Sequence, residues 1–223
     1  LNMIEEAKKR DHRKLGRELR LFEIMDEGPG FPFFLPKGVV LKNILIDYWR
    51  KLHNKAGYVE IETPIMLNKE LWIRSGHWDH YKDDMFPAMK LDNEEMVLRP
   101  MNCPHHMLVY KSKQRSYKDL PIKIGELAND FRYENSGAVC GLERVRQMCQ
   151  NDAHLFVRPD QIGEEFKKVV SLILDVYNDF GIKNYKFRLS LRDKNDKEKY
   201  FDDDEMWNEA ENRLREVLNK LGC

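Results

Sequence analysis

The sequence predicts an α+β domain, an antiparallel sheet flanked by helices, and three observations lead there. The stretch from Phe131 to Phe156, FRYENSGAVCGLERVRQMCQNDAHLF, reads as a hairpin: a β-compatible segment, a turn at Asn135-Ser136-Gly137, and a returning arm through Arg144-Val145-Arg146 to Gln150, Asp152 and His154. Long segments of helical periodicity lie before and after it, at Gly38 to Ala56, Gln161 to Phe180 and Glu205 to Leu221. A chain of 223 residues that is 42% hydrophobic can bury one substantial core, which predicts one domain over residues 1–223.

Composition narrows the class further. Lys+Arg and Asp+Glu balance at 38 each, so no net charge draws nucleic acid unspecifically and any RNA contact needs a local patch. The 34% of charged residues is interspersed with aromatics and aliphatics, which is globular composition. Cys103, Cys140, Cys149 and Cys223 show no secretory spacing and no CxxC pair, which predicts reduced thiols in the cytoplasm. No window approaches the ~20 apolar residues of a membrane span. Both ends read as cuts through a larger protein, since no initiator Met is present and Gly222-Cys223 falls where a helix C-cap hands over to a next element.

In chain order, Ile4, Ala7, Leu15, Leu19, Phe22 and Ile24 recur among charges and predict one amphipathic helix from Met3 to Met25, with Asp11-His12-Arg13 on its solvated face. Gly28-Pro29-Gly30 ends it, and the prolines of Phe31 to Pro36 hold that run extended. The helix Gly38 to Ala56 puts Val40, Ile44, Leu45, Tyr48, Trp49 and Leu52 on one broad face and stops at Gly57. Tyr58 to Pro64 then alternates as a strand ended by proline. Leu71 to Phe86 holds the aromatic and histidine cluster SGHWDHY. Glu95 to Leu98 reads as a strand leading into Pro100 to Met107 and a helix through Tyr110, and Leu120 to Leu127 leads into the hairpin. Beyond it, Tyr185 to Leu191 alternates as a strand, and Asp202-Asp203-Asp204-Glu205 caps the last helix, because carboxylates favour a helix N-terminus.

The hairpin is where the residue types point to chemistry. Strand alternation puts Arg132 and Glu134 on one face, and Arg144 and Arg146 likewise share one. An arginine beside a carboxylate is worth little as a surface pair. Three arginines on one hairpin also suit a polyphosphate, because guanidinium forks match phosphate oxygens bidentately. The residues alone leave both readings open.

The motifs themselves resemble a family. Phe131-Arg132-Tyr133-Glu134, a loop and then an arginine are similar to motif 2 of the class II aminoacyl-tRNA synthetases. Arg99-Pro100-Met101-Asn102-Cys103-Pro104, FRYENSGA, RVR and NDAHLF together resemble the threonyl-tRNA synthetases, over essentially the whole chain. The resemblance implies a class II synthetase-like catalytic domain truncated before motif 3, without anticodon-binding or editing domains, and therefore weak or inactive as a fragment. It implies ATP (with Mg2+), L-threonine and tRNA(Thr) as substrates, and a homodimer formed through the motif 1-like region Gly38 to Pro64. By position, Arg132 would contact the α-phosphate, Glu134 the adenine amino group and Arg144 the γ-phosphate, with Met148 near adenine where the family often has an aromatic ring. Met101, Gln150 and Asp152 would line the amino-acid pocket, and His77 would take a proton during acyl transfer to tRNA. Cys103 and His154 match two zinc ligands of the family, the third lying beyond this chain. His105 and His106 are expected to stay out of that site unless their loop bends back. A zinc ion there gives threonine an advantage over valine that an apolar pocket cannot, since a hydroxyl alone changes apolar binding only ~100-fold. Cys103 with His154 argues against a prolyl or seryl type. A non-catalytic synthetase-like protein that binds RNA or a partner is the rival of a different class.

Overall fold

The computed structural model describes residues 2–197 and 199–221, so Gly222 and Cys223 lie outside the described residues. Its elements are α1 (Asn2–Lys9), α2 (His12–Glu18), β1 (Phe22–Ile24), β2 (Pro32–Phe34), α3 (Pro36–Lys55), β3 (Val59–Glu60), β4 (Met66–Asn68), α4 (Lys69–Arg74), α5 (His77–Tyr81), β5 (Met89–Leu91), β6 (Glu94–Leu98), α6 (Cys103–Lys111), β7 (Ile122–Phe131), β8 (Gln147–Phe156), α7 (Ile162–Asp179) and α8 (Asp204–Leu221). They form two compact units, Leu1–Gln114 with Lys123–His154, and Arg115–Ile122 with Leu155–Cys223.

In the first unit the N-terminal segment departs from the single helix that its periodicity predicts. The side chain of Asp11 accepts the Arg13 N–H at 2.8 Å, which satisfies an orphan donor and starts a second helix. Arg20 takes a left-handed φ of 55°, and the residues after it are strand because they find a partner: Phe22 pairs with Phe34 and Ile24 with Pro32, antiparallel. Apolar spacing cannot foresee that partner. Asp11 is consequently a cap, not part of a solvated helix face.

Pro36 occupies the first turn of α3, where its missing N–H costs nothing. Gly57, at a φ of 79°, ends the helix as expected and returns the chain into β3. That strand is shorter than predicted, and it pairs in parallel with β7, Val59 opposite Ile124 and Glu60 opposite Gly125. The order β3-β7-β8 makes β3 an edge, which tolerates the nearby Pro64. A second sheet, β4-β6-β5, is antiparallel throughout. Trp72, Met85 and Val97 form the buried cluster on this side, with Trp78 and Ala88 packed against it.

The hairpin differs in one respect from strand alternation carried through its tip. The ladder ends at Phe131 and resumes at Gln147, so Arg132, Glu134, Arg144 and Arg146 lie in the connection. That connection is tied by the Arg132 N–H to the Arg146 carbonyl at 3.0 Å and by an isolated antiparallel bridge between Cys140 and Arg144.

In the second unit α7 and α8 pack together, burying Val170, Val176 and Leu218. Asp203 Oδ1 accepts the Met206 N–H at 2.9 Å, so the acidic run caps α8 as its position predicts. Tyr185 to Leu191 forms no strand. A strand exists only where a neighbour completes its ladder, and no described residue supplies one. The segment is followed instead by Arg192, which binds Asp204 at 2.7 Å and Glu211 at 3.4 Å.

Candidate active site

The last residues of β7, the start of α6 and the front face of β8 bring most of the candidate residues into the first unit. Arg132 emerges directly after β7, half-buried, its Nε 3.4 Å from the Pro100 carbonyl. Across the connection Arg144 Nε donates to Glu134 Oε2 at 2.7 Å, with Glu134 largely covered and Arg144 exposed. Arg146 does not reach outward as a third phosphate arm. Its guanidinium donates to the carbonyls of Glu134 at 2.9 Å and Pro29 at 3.0 Å, bracing the loop.

Along β8, Gln150 Nε2 lies 3.5 Å from Met148 Sδ, so the two share a face, with Asp152 and His154 two and four residues on. Met148 also lines a groove of about 600 Å³ with Phe34, Leu41, Leu45 and Trp49. Met101, half-buried, immediately precedes the turn into α6, and Cys103 is the first residue of that helix.

His154 Nδ1 lies 2.9 Å from His106 Nδ1 and 3.8 Å from Asp152 Oδ2. α6 begins at once after Asn102 and turns the buried His106 ring toward β8, a contact that by itself does not make His106 the missing third ligand. His106 is engaged on its other nitrogen, 2.6 Å from Asn102 Nδ2 and 3.2 Å from Glu126 Oε2.

The donors available to a metal follow from this arrangement. Burial lowers the His154 pKa, offset by Asp152 and reinforced by His106, and the neutral imidazole that results is the form that binds metal. Burial raises the Cys103 thiol, and the Asp152 charge raises it further, so a thiolate there calls for a cation to stabilise it. A thiolate and an imidazole suit zinc in kind. Among the described residues no group of three His, Cys, Asp or Glu is placed to hold a metal ion, so Cys103 and His154 offer donors of the right kind but do not form a closed site by themselves.

His77 begins α5, its Nδ1 2.8 Å from Ser75 Oγ. The Ser75 hydroxyl donates to the Trp72 carbonyl at 3.2 Å, which assigns the imidazole proton to Nδ1 and leaves a lone pair on Nε2. Burial lowers the His77 pKa, keeping the ring neutral near pH 7. Among the described residues no hydrogen bond joins His77 to the hairpin residues.

Sequence reasoning passed over the polar network beneath this surface. Arg99, 1% exposed, donates through Nη1 to Thr63 Oγ1 at 2.7 Å, Asn102 Oδ1 at 3.1 Å and Glu126 Oε1 at 3.1 Å, and through Nε to the Asn129 carbonyl at 2.8 Å. Asp130, fully buried, has Arg99 Nε 3.4 Å away, and among the described residues neither of its oxygens accepts a hydrogen bond. The signal was present: Glu126, Ala128 and Asp130 alternate on one face of β7, and a strand face with two carboxylates is not a plain core face.

A family model described as the tRNA synthetase class II core domain (G, H, P, S and T) matches residues 87–220, more than half of the chain. The chain belongs to the class II tRNA synthetase core family. This class II core is 59% identical over its whole length to a threonine–tRNA ligase of Geobacillus kaustophilus (strain HTA426), of which it covers 34%. It is 60% identical, again over its whole length, to that of Staphylococcus carnosus (strain TM300), covering 35% of it. A crystal structure of the RNA binding domain of threonyl-tRNA synthetase from Cryptosporidium parvum Iowa II superposes on it with a TM-score of 0.87 at 38% identity, over 96% of this chain and 52% of that one. The class II core thus spans about a third of the length of the curated relatives it matches.

Proposed function

We propose that this chain is the motif 1 and motif 2 part of the catalytic domain of a threonine–tRNA ligase, acting in the cytoplasm on L-threonine, ATP with Mg2+ and tRNA(Thr). The observation that carries the reading is the convergence, in one compact unit, of a charged hairpin connection with a half-buried thiol, carboxylate and imidazole. Arg132, tethered through its backbone, holds the α-phosphate and stabilises the charge that develops as the threonine carboxylate displaces pyrophosphate. Arg144 swings from Glu134 to the γ-phosphate, releasing the Glu134 carboxylate to accept from the adenine amino group. Met148 lies against the base, a thioether being able to pack on a π-face. Gln150, Met101 and Asp152 form the amino-acid pocket, with Asp152 accepting from the substrate ammonium. His77 Nε2 accepts the proton of the tRNA 3′-terminal ribose hydroxyl. Cys103 and His154 would hold zinc with a third ligand from outside this chain; when bound, the metal supplies open coordination positions that threonine's amino and hydroxyl groups fill together and valine's cannot.

In the full-length protein, threonine is expected to drive ATP–pyrophosphate exchange and valine to drive it at least ~100-fold less well, with one zinc per subunit by metal analysis. Equal exchange with both amino acids, or full discrimination in a metal-free protein, would remove the zinc assignment. No exchange with any amino acid would instead favour the non-catalytic reading.

The chain is also proposed to form a two-fold homodimer around α3 and β3. Val40 and Ile44, one helical turn apart on α3, are 60% and 59% exposed and Val59 on β3 is 62% exposed, apolar side chains that a partner surface would cover. Sedimentation of the full-length protein should give a dimer at micromolar concentration, and a monomer across that range counts against the interface.

A further inference from the structure

We propose that His12 is a positioning residue for the hairpin connection: α2 and the β1–β2 turn grip residues 140–146 from two sides and so hold Arg144 and Glu134 where ATP meets them. The inference rests on the reading of Arg132, Glu134 and Arg144 as the ATP site. On the first side, His12 Nε2 accepts the Leu142 N–H at 3.0 Å. A backbone N–H can only donate, so this nitrogen carries the lone pair and the ring proton sits on Nδ1, which faces Glu143 Oε1 at 3.7 Å and Asp11 Oδ1 at 3.9 Å. The ring stacks on Phe22 with planes 17° apart, which fixes its direction. Arg13, itself clamped by Asp11 at 2.7 Å, reaches Cys140 Sγ at 3.7 Å. Gly141 makes the approach possible: its φ is +51°, and a Cβ built on it would overlap the His12 imidazole.

On the second side, the Arg146 N–H donates to the Gly30 carbonyl at 2.7 Å and its guanidinium to Pro29 and Glu134 carbonyls. Arg144 therefore lies between two anchored points, Leu142 and Arg146, within a five-residue loop closed by the Cys140–Arg144 bridge. Residues more than a hundred positions away in sequence thus set where the exposed guanidinium starts its reach.

The test is ATP–pyrophosphate exchange by the full-length protein, with ATP and threonine varied separately. His12→Ala is expected to raise KM for ATP about 3- to 10-fold, the scale of one lost hydrogen bond, while KM for threonine stays within about twofold. His12→Gln, whose amide oxygen can accept the Leu142 N–H, should recover most of the loss. Gly141→Ala, which drives a methyl into the ring, should reproduce the ATP defect from the other partner. An unchanged KM for ATP in both His12→Ala and Gly141→Ala, or equal rises for both substrates that follow a fall in thermal midpoint, would overturn the positioning role. A wild-type protein without exchange would overturn the ATP reading and this inference with it, whereas an active wild type with indifferent variants overturns this inference alone.

Discussion

Replacing Arg132 by alanine in the full-length protein is expected to lower threonine-dependent ATP–pyrophosphate exchange by at least ~100-fold, the scale of losing one preorganised charge donor. The expectation comes from how firmly the residue is placed. Its backbone N–H is bonded to the Arg146 carbonyl at 3.0 Å, and the strand that delivers it ends one residue earlier at Phe131. The side chain spends only a long 3.4 Å contact on the Pro100 carbonyl, so binding a phosphate costs little that is already made. Arg132→Lys keeps the charge but not the bidentate fork and should recover activity only in part. Near-normal exchange in the alanine variant would take Arg132 out of the site.

Arg99→Leu should destabilise the fold by about 3–5 kcal/mol, the cost of breaking a buried ion pair from one side. One guanidinium stands there between two buried carboxylates and cannot serve both equally. Burial opposes the ionisation of Glu126, but hydrogen bonds from His106 and from the Thr63 backbone and hydroxyl, with the Arg99 charge, outweigh it and hold its pKa at about 2. For Asp130 burial dominates: Arg99 offsets it only in part, and the pKa is pushed up to about 6. The unfolded Asp130 carboxyl releases its proton near the ordinary 3.8. Between that value and about 6 the folded state binds more protons than the unfolded one, so Asp130's contribution to stability is fully present below about 3.8 and is lost as pH rises through about 6. Asp130→Asn should consequently raise the thermal midpoint at pH 7.5, with the gain vanishing by about pH 4. Urea unfolding of Arg99→Leu and pH-dependent melting of Asp130→Asn are the measurements. An Arg99→Leu variant of wild-type stability, or an Asp130→Asn variant destabilised equally at both pH values, would show that the network does not share its charge in this way.

Periodicity located α3 and α7 within two residues of their ends, because each has a broad apolar face and an identifiable stop, Gly57 for α3. The same criterion failed at Met3 to Met25, where Asp11 and the β1–β2 pairing override spacing, and at Tyr185 to Leu191, where alternation found no ladder partner. Local chemistry is read well from a sequence; a strand's partner is not a local property. The pairing of Arg144 with Glu134 could be anticipated from a charged hairpin, but the inward use of Arg146 could not, since Pro29 and Glu134 present their carbonyls only once the chain has folded.

The sequence by itself determined the α+β class, the hairpin, the long helices α3, α7 and α8, the family to which the chain belongs, and the residue types offered to a polyphosphate or a metal. These depend on period, turn residues and motif order, all of which are short-range. Only the tertiary structure decided that β3 joins its sheet in parallel, that Arg99 is shared unequally by Glu126 and Asp130, that His106 meets His154, and that His12 holds Leu142. Each of these joins residues far apart in sequence, and each turns on whether a buried polar group finds its partner, a question answered by the packed chain and not by any window of residues.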